Sequence, residues 1–210
     1  MANKIFLKKE NEELEEITEY PNLKIEFLGD NSKVIIEEGS IFYNASFKLY
    51  KNNTIEINKT HRRGLRNFVI DMSGSFDAKV FIDKNTSCES CRLAMANEKN
   101  PEIFIGKDNL ISSNVTFRAT DGHIIYDITS KKILNKTKPI IIGSHVWIGS
   151  GATILKGTII GNNCIIATQS VVANIFEKDH IIVGGNPAKI IKDNINWDRT
   201  YPKDKHNLND

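Results

Sequence analysis

The sequence predicts an all-β fold, a triangular parallel β-helix in which short strands wind into a hexapeptide-repeat solenoid. The first observation is a strict period of six in the C-terminal half, where every sixth position is aliphatic. This row consists of Ile142, Ile148, Ile154, Ile160, Ile166 and Val172. A helical face recurs about every 3.6 residues and an exposed strand face every two, so neither explains a period of six. Short repeats of this length are typical of β-helices.

Small residues follow the same period, which is the second observation. Compact side chains stand four residues after successive aliphatic positions, namely Val146, Ala152, Thr158, Cys164 and Ser170. Three hexapeptides make one coil of about eighteen residues, with the aliphatic side chains stacked inside and small residues at the tight bends. We expect neighbouring coils to hydrogen-bond edge to edge, so that each buries its face only against the next.

The composition fits one folded domain with short additions at its ends. Hydrophobic residues make up 40% of the 210 residues, which supports a core, and the formal net charge of +2 argues against a nucleic-acid partner. No segment is long and apolar enough to span a membrane, and the acidic N-terminus does not resemble a secretory signal. We therefore expect a cytoplasmic protein. The many asparagines are interpreted mainly as an effect of genome composition.

The N-terminal part is less regular than the repeats. Residues 1–22 are acidic with a few spaced aliphatic side chains, and we expect a surface helix or a loosely held arm. The solenoid domain is predicted to span residues 23–192. Residues 23–65 alternate polar and apolar side chains, which is typical of strands, and are interpreted as irregular early coils with a blurred period.

The period then becomes clearer but is interrupted. Inward positions are predicted at Ile70, Phe76, Ile82 and Cys88, and again at Ile105, Ile111 and Phe117. One interruption covers about 93–102 and a second about 119–139. Because a long loop inside a compact solenoid is usually functional, the second is the candidate active-site loop. Beyond the repeats, residues 190–197 are expected to form a short helix, and the last dozen residues of the tail 193–210 are expected to be mobile.

The three cysteines have a structural interpretation and a functional one. The spacing of Cys88 and Cys91 matches a redox motif or half of a metal site. However, Cys88 and Cys164 fall at inward positions, and buried thiols pack as small hydrophobic groups. The sequence has no second pair with this spacing. We therefore predict packing roles and no metal.

Three motifs together resemble the hexapeptide-repeat acyltransferases. They are residues 145–149 (HVWIG), 167–172 (ATQSVV) and 185–189 (GNPAK). The resemblance covers residues 103–192 well and 23–102 loosely. It implies a left-handed parallel β-helix, a hand that is an exception to the usual right-handed crossover. It also implies acetyl-CoA as co-substrate and a homotrimer with its sites in clefts between subunits.

The second interruption of the repeat indicates which members of this family the chain most resembles. Its Asp121-Gly-His123 sequence, followed by Asp127 and Asn135, most resembles O-acetyltransferases of bacterial surface polysaccharides. The 24 residues from His123 to Trp147 are similar to the spacing in galactoside and polysialic acid O-acetyltransferases. A sugar hydroxyl needs a base as it attacks a thioester, and imidazole titrates near neutrality. His123 alone of the five histidines lies in the long loop and matches the family base. Asp121 or Asp127 could orient it, as could a backbone carbonyl.

The resemblance also implies which residues bind the coenzyme. The amide of Ser150 would donate to the oxyanion of the tetrahedral intermediate, although Ser150 could be a plain corner residue. Trp147 would stand at the mouth of the site and contact the acceptor or the pantetheine arm, although it could instead cover a neighbouring coil. Thr168 follows Ser150 by one coil and would line the pantetheine arm. Lys189 and Lys192 match the basic positions that would bind the phosphates.

We therefore expect an acetyl-CoA-dependent O-acetyltransferase that acts directly on a bacterial surface carbohydrate, such as a capsule, a lipopolysaccharide or a sialic acid-containing glycan. One alternative is N-acetylation of an amino sugar-nucleotide, for which the same base and solenoid would serve. A structural or sugar-binding solenoid is the non-enzyme alternative. The γ-class carbonic anhydrases share the solenoid but bind zinc through three histidines, and no two histidines here lie within ten residues of each other.

Overall fold

The computed structural model describes residues 2–200, in which 24 strands form three sheets. Each coil passes through one strand of the nine-stranded sheet (face 1), one of the eight-stranded sheet (face 2) and one of the seven-stranded sheet (face 3). Strands of successive coils pair in parallel along every face. The predicted all-β parallel solenoid is therefore confirmed. No helix that could cross a membrane occurs among the described residues.

The strands are short and are given by face. Face 1 contains β1 (Lys4–Lys8), β2 (Leu14–Ile17), β4 (Lys33–Glu37), β7 (Thr54–Ile57), β10 (Lys79–Ile82), β13 (Glu102–Ile105), β16 (Ile140–Ile142), β19 (Ile159–Ile160) and β22 (Ile175–Phe176). Face 2 contains β5 (Phe42–Tyr43), β8 (Leu65–Arg66), β11 (Ser87–Cys88), β14 (Leu110–Ile111), β17 (Trp147–Ile148), β20 (Ile165–Ile166), β23 (Ile182–Gly185) and β24 (Ala188–Lys192). Face 3 contains β3 (Leu23–Phe27), β6 (Ala45–Lys51), β9 (Phe68–Phe76), β12 (Cys91–Ala94), β15 (Val115–Arg118), β18 (Thr153–Leu155) and β21 (Val171–Val172).

The aliphatic row of period six forms the core of the regular coils. All six of its side chains are buried, and each pairs with its equivalent eighteen residues later: Ile142 with Ile160, Ile148 with Ile166, and Ile154 with Val172. Burying one such side chain contributes about 1.5–3 kcal/mol. The stacked aliphatic rows therefore supply a large part of the driving force for coiling.

The early coils are longer, which explains their blurred period. Val34 pairs with Ile55, 21 residues on, and Phe47 pairs with Ile70, 23 residues on. Part of the extra length lies in the strands of face 3, which have 5, 7 and 9 residues in β3, β6 and β9 but only 3 and 2 in β18 and β21. The spacing between inward positions therefore varies. The inward position predicted at Phe76 is wrong, because this side chain is 40% exposed. The burial pattern of β9 has consecutive half-buried residues before Ser75, which shifts the alternation and turns Ser75 inward.

Asparagine has a role at the corners that composition alone did not indicate. Eleven asparagines have a positive φ, a conformation that Asn tolerates better than most residues. Their side chains also form ladders between coils: the Asn31 amide donates to Asn52 over 2.8 Å, and the Asn52 amide donates to Asp77 over 3.0 Å. Genome composition is therefore an incomplete explanation for these residues.

The N-terminal helix or loose arm expected over residues 1–22 is wrong. β1 and β2 form an antiparallel hairpin, and β1 also pairs in parallel with β4. The acidic and basic side chains join across the hairpin, as in the ion pair of Lys4 Nζ with Glu16 at 2.8 Å. Ile5 packs inward beside Val34. The hairpin covers the edge of the first coil, whose unpaired backbone groups would otherwise remain exposed.

The short C-terminal helix expected over residues 190–197 is also wrong. β24 turns back and pairs antiparallel with β23. This hairpin covers the C-terminal edge of face 2, as the first hairpin covers the N-terminal edge of face 1. Hydrogen bonding to the last strand satisfies backbone groups that a separate helix would leave unpaired. The first part of the tail is held on the solenoid by Trp197 and Arg199. Residues 201–210, which include His206 and most of the segment expected to be mobile, lie outside the described residues.

The packing interpretation of the cysteines is confirmed. Cys88, Cys91 and Cys164 are all free thiols and are buried in the solenoid. Burial raises the pKa of Cys91, and the neighbouring Cys88 raises it further. Burial likewise raises the pKa of Cys164. All three positions are therefore suited to packing.

Candidate active site

The long loop leaves the solenoid at the corner between face 3 and face 1. It starts after β15 and ends at β16, and a bridge between Tyr126 and Ile133 folds it back on itself. It carries large exposed apolar side chains: Ile124, Ile125, Tyr126, Ile128, Ile133 and Leu134. Such a concentration on one loop is typical of a surface that packs against another molecule.

His123 lies in a cleft of about 670 Å³ between this loop and residues 97–102. The interruption at about 93–102 thus has a structural role, since it forms the opposite wall. Thr137 Oγ1 lies 2.9 Å from Glu98 Oε1 and 3.1 Å from the Lys99 carbonyl oxygen, two acceptors for its one hydrogen, which joins the two walls. His123 is exposed and accessible to a substrate in this cleft.

A network of three side chains anchors the loop beside His123. Lys156 Nζ lies 2.6 Å from Asp121 Oδ2 and donates to the Asn135 carbonyl over 2.7 Å. The Asn135 side-chain amide donates to Asp121 and to the His123 carbonyl, over 2.8 and 2.7 Å. Asn135 also accepts from the Ile125 N–H over 2.8 Å. Both ends of the loop are therefore tied to Lys156, which follows β18 in the next coil.

The two carboxylates considered as partners of His123 have other roles within residues 2–200. Burial opposes the ionisation of Asp121, but hydrogen bonds from Lys156 and Asn135 outweigh it and lower the pKa of Asp121. Asp127 accepts from the backbone N–H and the hydroxyl of Ser130, which lower its pKa and stabilise a turn. Neither carboxylate is hydrogen-bonded to the His123 ring in this part of the chain. Asp121 instead orients the backbone that carries His123.

The network reveals a functional candidate that sequence reasoning missed. Lys156 is not part of the Asp121–His123 motif, and its side chain is only 13% exposed. A lysine that ends a short strand has no distinctive local pattern. Its position one coil after β15, directly under the loop, could have been found only by assigning the coil register across the 37 residues that separate Thr116 from its partner Thr153.

The predicted coenzyme residues lie together on face 2 and at its border with face 3. Trp147 faces outward and is 39% exposed, and its partner along the face is Ile165. Gly149 lies so close to the next coil that a Cβ would be 2.6 Å from the Thr168 N–H nitrogen. Within residues 2–200 the Ser150 N–H has no hydrogen-bond acceptor, while its carbonyl accepts from the Gln169 N–H over 2.9 Å.

The two predicted phosphate-binding lysines lie at the C-terminal end of the same face. Lys189 and Lys192 are exposed on β24, where Lys192 pairs with Ile182 and Lys189 with Gly184. The outward row that begins at Trp147 therefore continues to Lys192. Trp147, Ile165, Ile182 and Lys192 follow one another in this row, and Lys189 lies on the same last strand. We call this surface, together with Ser150 and Thr168 at its border, the coenzyme wall.

His123 and the coenzyme wall are at different corners of the same chain. The loop of His123 leaves at the corner between faces 3 and 1, whereas Ser150 and Thr168 lie at the corner between faces 2 and 3. Face 3 lies between these two corners. No hydrogen bond or ring contact within the described chain joins His123 to Trp147, Ser150 or Thr168.

Comparisons with known proteins agree with the fold and with these motifs. A family model of bacterial transferase hexapeptide repeats (six repeats) matches residues 139–174. The polysialic acid O-acetyltransferase of Neisseria meningitidis is 32% identical over 172 residues, which are 82% of this chain and 78% of that protein. The polysialic acid O-acetyltransferase of Escherichia coli O1:K1 is 37% identical over 130 residues, but this chain spans only 41% of its length.

Solved structures give the same result. The crystal structure of the polySia-specific acetyltransferase NeuO matches with a TM-score of 0.76 and 29% identity, covering 98% of this chain and 88% of that one. The polysialic acid O-acetyltransferase OatWY matches in fold, with a TM-score of 0.56 and 24% identity. The solenoid is thus a left-handed parallel β-helix of the transferase type. The chain belongs to the hexapeptide-repeat acyltransferase family, and its relatives include polysialic acid O-acetyltransferases.

Proposed function

We propose that this chain transfers the acetyl group of acetyl-CoA to a hydroxyl of an acidic bacterial surface carbohydrate. The observation that carries the proposal is the cleft at His123, which is open to solvent and is lined by Lys99, Lys136 and Lys138. The lining also contains the carboxylates of Glu98 and Glu102, but Glu102 pairs with Lys79 outside the cleft at 3.1 Å, so the lysines are in excess. The lysines therefore favour an anionic acceptor such as a sialic acid-containing glycan.

In the proposed reaction His123 takes the proton from the sugar hydroxyl while its oxygen attacks the thioester carbonyl. The tetrahedral oxyanion accepts from the Ser150 N–H, which is available because it has no acceptor within residues 2–200. Collapse breaks the carbon–sulfur bond and expels the coenzyme A thiolate, which takes the proton from His123. The products are the acetyl ester and free coenzyme A.

The cytoplasmic location expected from the sequence remains a prediction.

A screen of glycans with acetyl-CoA tests this proposal. Release of free thiol should depend on an anionic glycan acceptor, and the product should lose its acetyl group in mild base because it is an ester. A base-stable amide would favour the alternative, an N-acetyltransferase acting on an amino sugar-nucleotide. Binding of glycans without thiol release would favour the sugar-binding solenoid and would contradict the proposal.

We also propose that the active unit is a homotrimer with sites shared between neighbouring chains. Face 1 carries a continuous outward row of apolar side chains, formed by Phe81, Phe104, Ile141, Ile159 and Ile175. Of these, Ile175 is 60% exposed in the single chain. The exposed apolar loop lies beside this row. A neighbour packed on these surfaces would bury them, and cyclic symmetry allows such head-to-tail contacts to close in a ring of three.

Sharing would also complete the site. His123 and the coenzyme wall are separated by face 3 within one chain, so the apolar loop could bring His123 to the wall of a neighbour. Lys156 anchors the loop at its base, and the tip of the loop is exposed. Both features fit a loop that extends from its own chain to contact a neighbour. Trp147, Ser150 and Thr168 of one chain would then bind the acetyl-CoA that reacts at His123 of the partner subunit.

Replacing Lys156 with methionine is expected to lower kcat by about tenfold, because small displacements of a catalytic group are costly. Methionine keeps most of the buried volume but removes the charge that bonds Asp121 and Asn135. The KM for acetyl-CoA should change less than about twofold, since the wall is on another face. Steady-state kinetics measure both. The matched control is Lys132→Met, an exposed lysine of the same loop, and an equal kcat for both variants would refute the anchoring role.

The double variant Lys189→Ala with Lys192→Ala is expected to raise the KM for acetyl-CoA by about tenfold or more, with a smaller change in kcat. Phosphate contacts far from the thioester stabilise the bound substrate and the transition state alike. Initial rates at varied acetyl-CoA measure the change, and Lys178→Ala is the control, because its ammonium pairs with Asp193 at 2.8 Å. An unchanged KM would remove these lysines from the coenzyme site.

A further inference from the structure

The segment of residues 195–199, called the C-terminal strap, lies along the corner between face 1 and face 2. It runs back toward the earlier coils. The Ile195 N–H donates to the His180 carbonyl over 3.1 Å, and Trp197 Nε1 donates to the His145 carbonyl over 2.8 Å. Arg199 reaches further and donates to the Asn109 carbonyl over 2.8 Å. Three successive attachments therefore hold the strap across several coils.

The surface under the strap is a ladder of equivalent corner residues. They are Asn85, Asp108, His145, Asn163 and His180, and all have φ between 56° and 65°. Each stands three residues before an inward position of face 2, so they lie above one another in successive coils. Asn, Asp and His are the side chains most often found in this conformation apart from glycine. His145 and His180, which the proposed reaction does not use, therefore belong to this ladder of corner residues under the strap.

His145 and Trp197 form the centre of the attachment. Their rings are stacked, with centroids 4.3 Å apart and planes 11° from parallel. His145 Nε2 lies 3.0 Å from the Trp197 carbonyl, and Nδ1 lies 2.7 Å from Asp108 Oδ2. Arg199 Nε donates to the other oxygen of Asp108 over 3.2 Å, and Arg199 also donates to Ser87 Oγ over 2.8 Å. Trp197 is only 8% exposed.

The strap also touches the residue proposed to stand at the mouth of the site. The ring centroid of Trp197 is 6.3 Å from that of Trp147, within the range of aromatic contacts. Trp147 Nε1 donates to Ser112 Oγ over 3.2 Å. The indole of Trp147 is thus held by Ser112 through its nitrogen and by Trp197 through its ring. The other 39% of the Trp147 surface is exposed.

We propose that the C-terminal strap is part of the coenzyme wall and that Trp197 is a positioning residue, which holds Trp147 in the orientation that packs against the pantetheine arm. This inference rests on the proposed function only in assigning Trp147 to the coenzyme. The row of Trp147, Ile165, Ile182 and Lys192 forms the floor of this wall, and Trp197 borders the floor at its N-terminal end.

The chain contains only two tryptophans, so its fluorescence tests the contact directly. In both Trp197→Phe and Trp197→Ala, Trp147 is the single tryptophan, and excitation at the red edge of the indole band avoids emission from the five tyrosines. Phenylalanine can keep an aromatic ring against His145 and Trp147, whereas alanine removes it. We expect the acrylamide quenching constant of Trp147 to be about twofold higher, and its emission red-shifted, in the alanine variant. Equal quenching in the two variants would overturn the positioning contact, whatever the protein catalyses.

Kinetics with acetyl-CoA test the consequence. Trp197→Ala should raise the KM for acetyl-CoA by about fivefold with kcat changed less than about twofold, and Trp197→Phe should restore the KM to within about twofold. Thermal unfolding and light scattering of both variants exclude a general loss of fold. A change in quenching without a change in KM would show that the strap covers Trp147 but does not belong to the coenzyme wall, which overturns the proposal. Absence of acetyl transfer in the unmutated protein would instead refute the proposed function and leave the fluorescence result standing.

Discussion

Replacing His123 with alanine is expected to lower kcat by about 10²–10⁴-fold, the usual contribution of a general base. His123 is exposed in the cleft, and its backbone carbonyl is held by Asn135 at 2.7 Å, so the ring stands on an anchored segment. Alanine removes the proton acceptor and leaves that anchoring bond intact, because the bond involves only the backbone. The KM for acetyl-CoA should therefore change little. Turnover is measured by thiol release with the glycan found in the screen.

The matched control is His61→Ala, a histidine on another corner of the solenoid, which should keep kcat within about twofold. Circular dichroism and unfolding temperature of His123→Ala should match those of the unmutated protein, because the His123 side chain is exposed and contributes little to packing. If kcat for His123→Ala falls by less than about tenfold, His123 is not the base.

If sites are shared, mixing a variant that lacks the proposed base with a variant whose coenzyme wall is disabled is expected to give more turnover than either variant alone. One chain carries His123→Ala, and the other carries Trp147→Ala with Lys189→Ala. In a ring of three, every trimer that contains both kinds of chain has one cleft in which an intact loop meets an intact wall, whichever chain is in excess. Mixed trimers purified through a different tag on each chain should therefore show about one third of the wild-type turnover.

The control mixes His123→Ala chains with chains that carry all three substitutions, which leaves no intact loop and should give no activity. Light scattering should give about three times the 23.7 kDa of one chain. A verified mixed trimer without restored turnover would show that each chain forms its site alone. A fully active monomer would refute the trimer itself.

The sequence predicted the structure correctly where a local pattern of residues determines it. The aliphatic row, the small residues in phase and the loop between β15 and β16 all follow from spacing along the chain. His123, Trp147 and the segment 185–189 were identified by short motifs within this frame. The two hairpins at the ends were missed because helix and hairpin patterns are both amphipathic, and the need to cover an open sheet edge decides between them.

Phe76 was misassigned for a related reason. A single irregularity near Gly74 shifts the side-chain alternation by one, and a one-residue shift moves every later side chain to the other face of the strand. No count by six detects it, since the coil length also changes there. The strands from β16 to β21 pair without any shift in register, and the inward positions predicted for these regular coils are correct.

The sequence by itself determined the parallel solenoid class, the inward rows of the regular coils and the loop with His123, because a repeating coil encodes each contact at a fixed separation along the chain. Only the tertiary structure decided that Lys156 anchors that loop and that Trp197 lies beside Trp147. These contacts join residues 35 and 50 apart, and Arg199 reaches Ser87 across 112 residues. Such contacts depend on which coils become neighbours after the insertions are accommodated, and they leave no periodic signal because each occurs once.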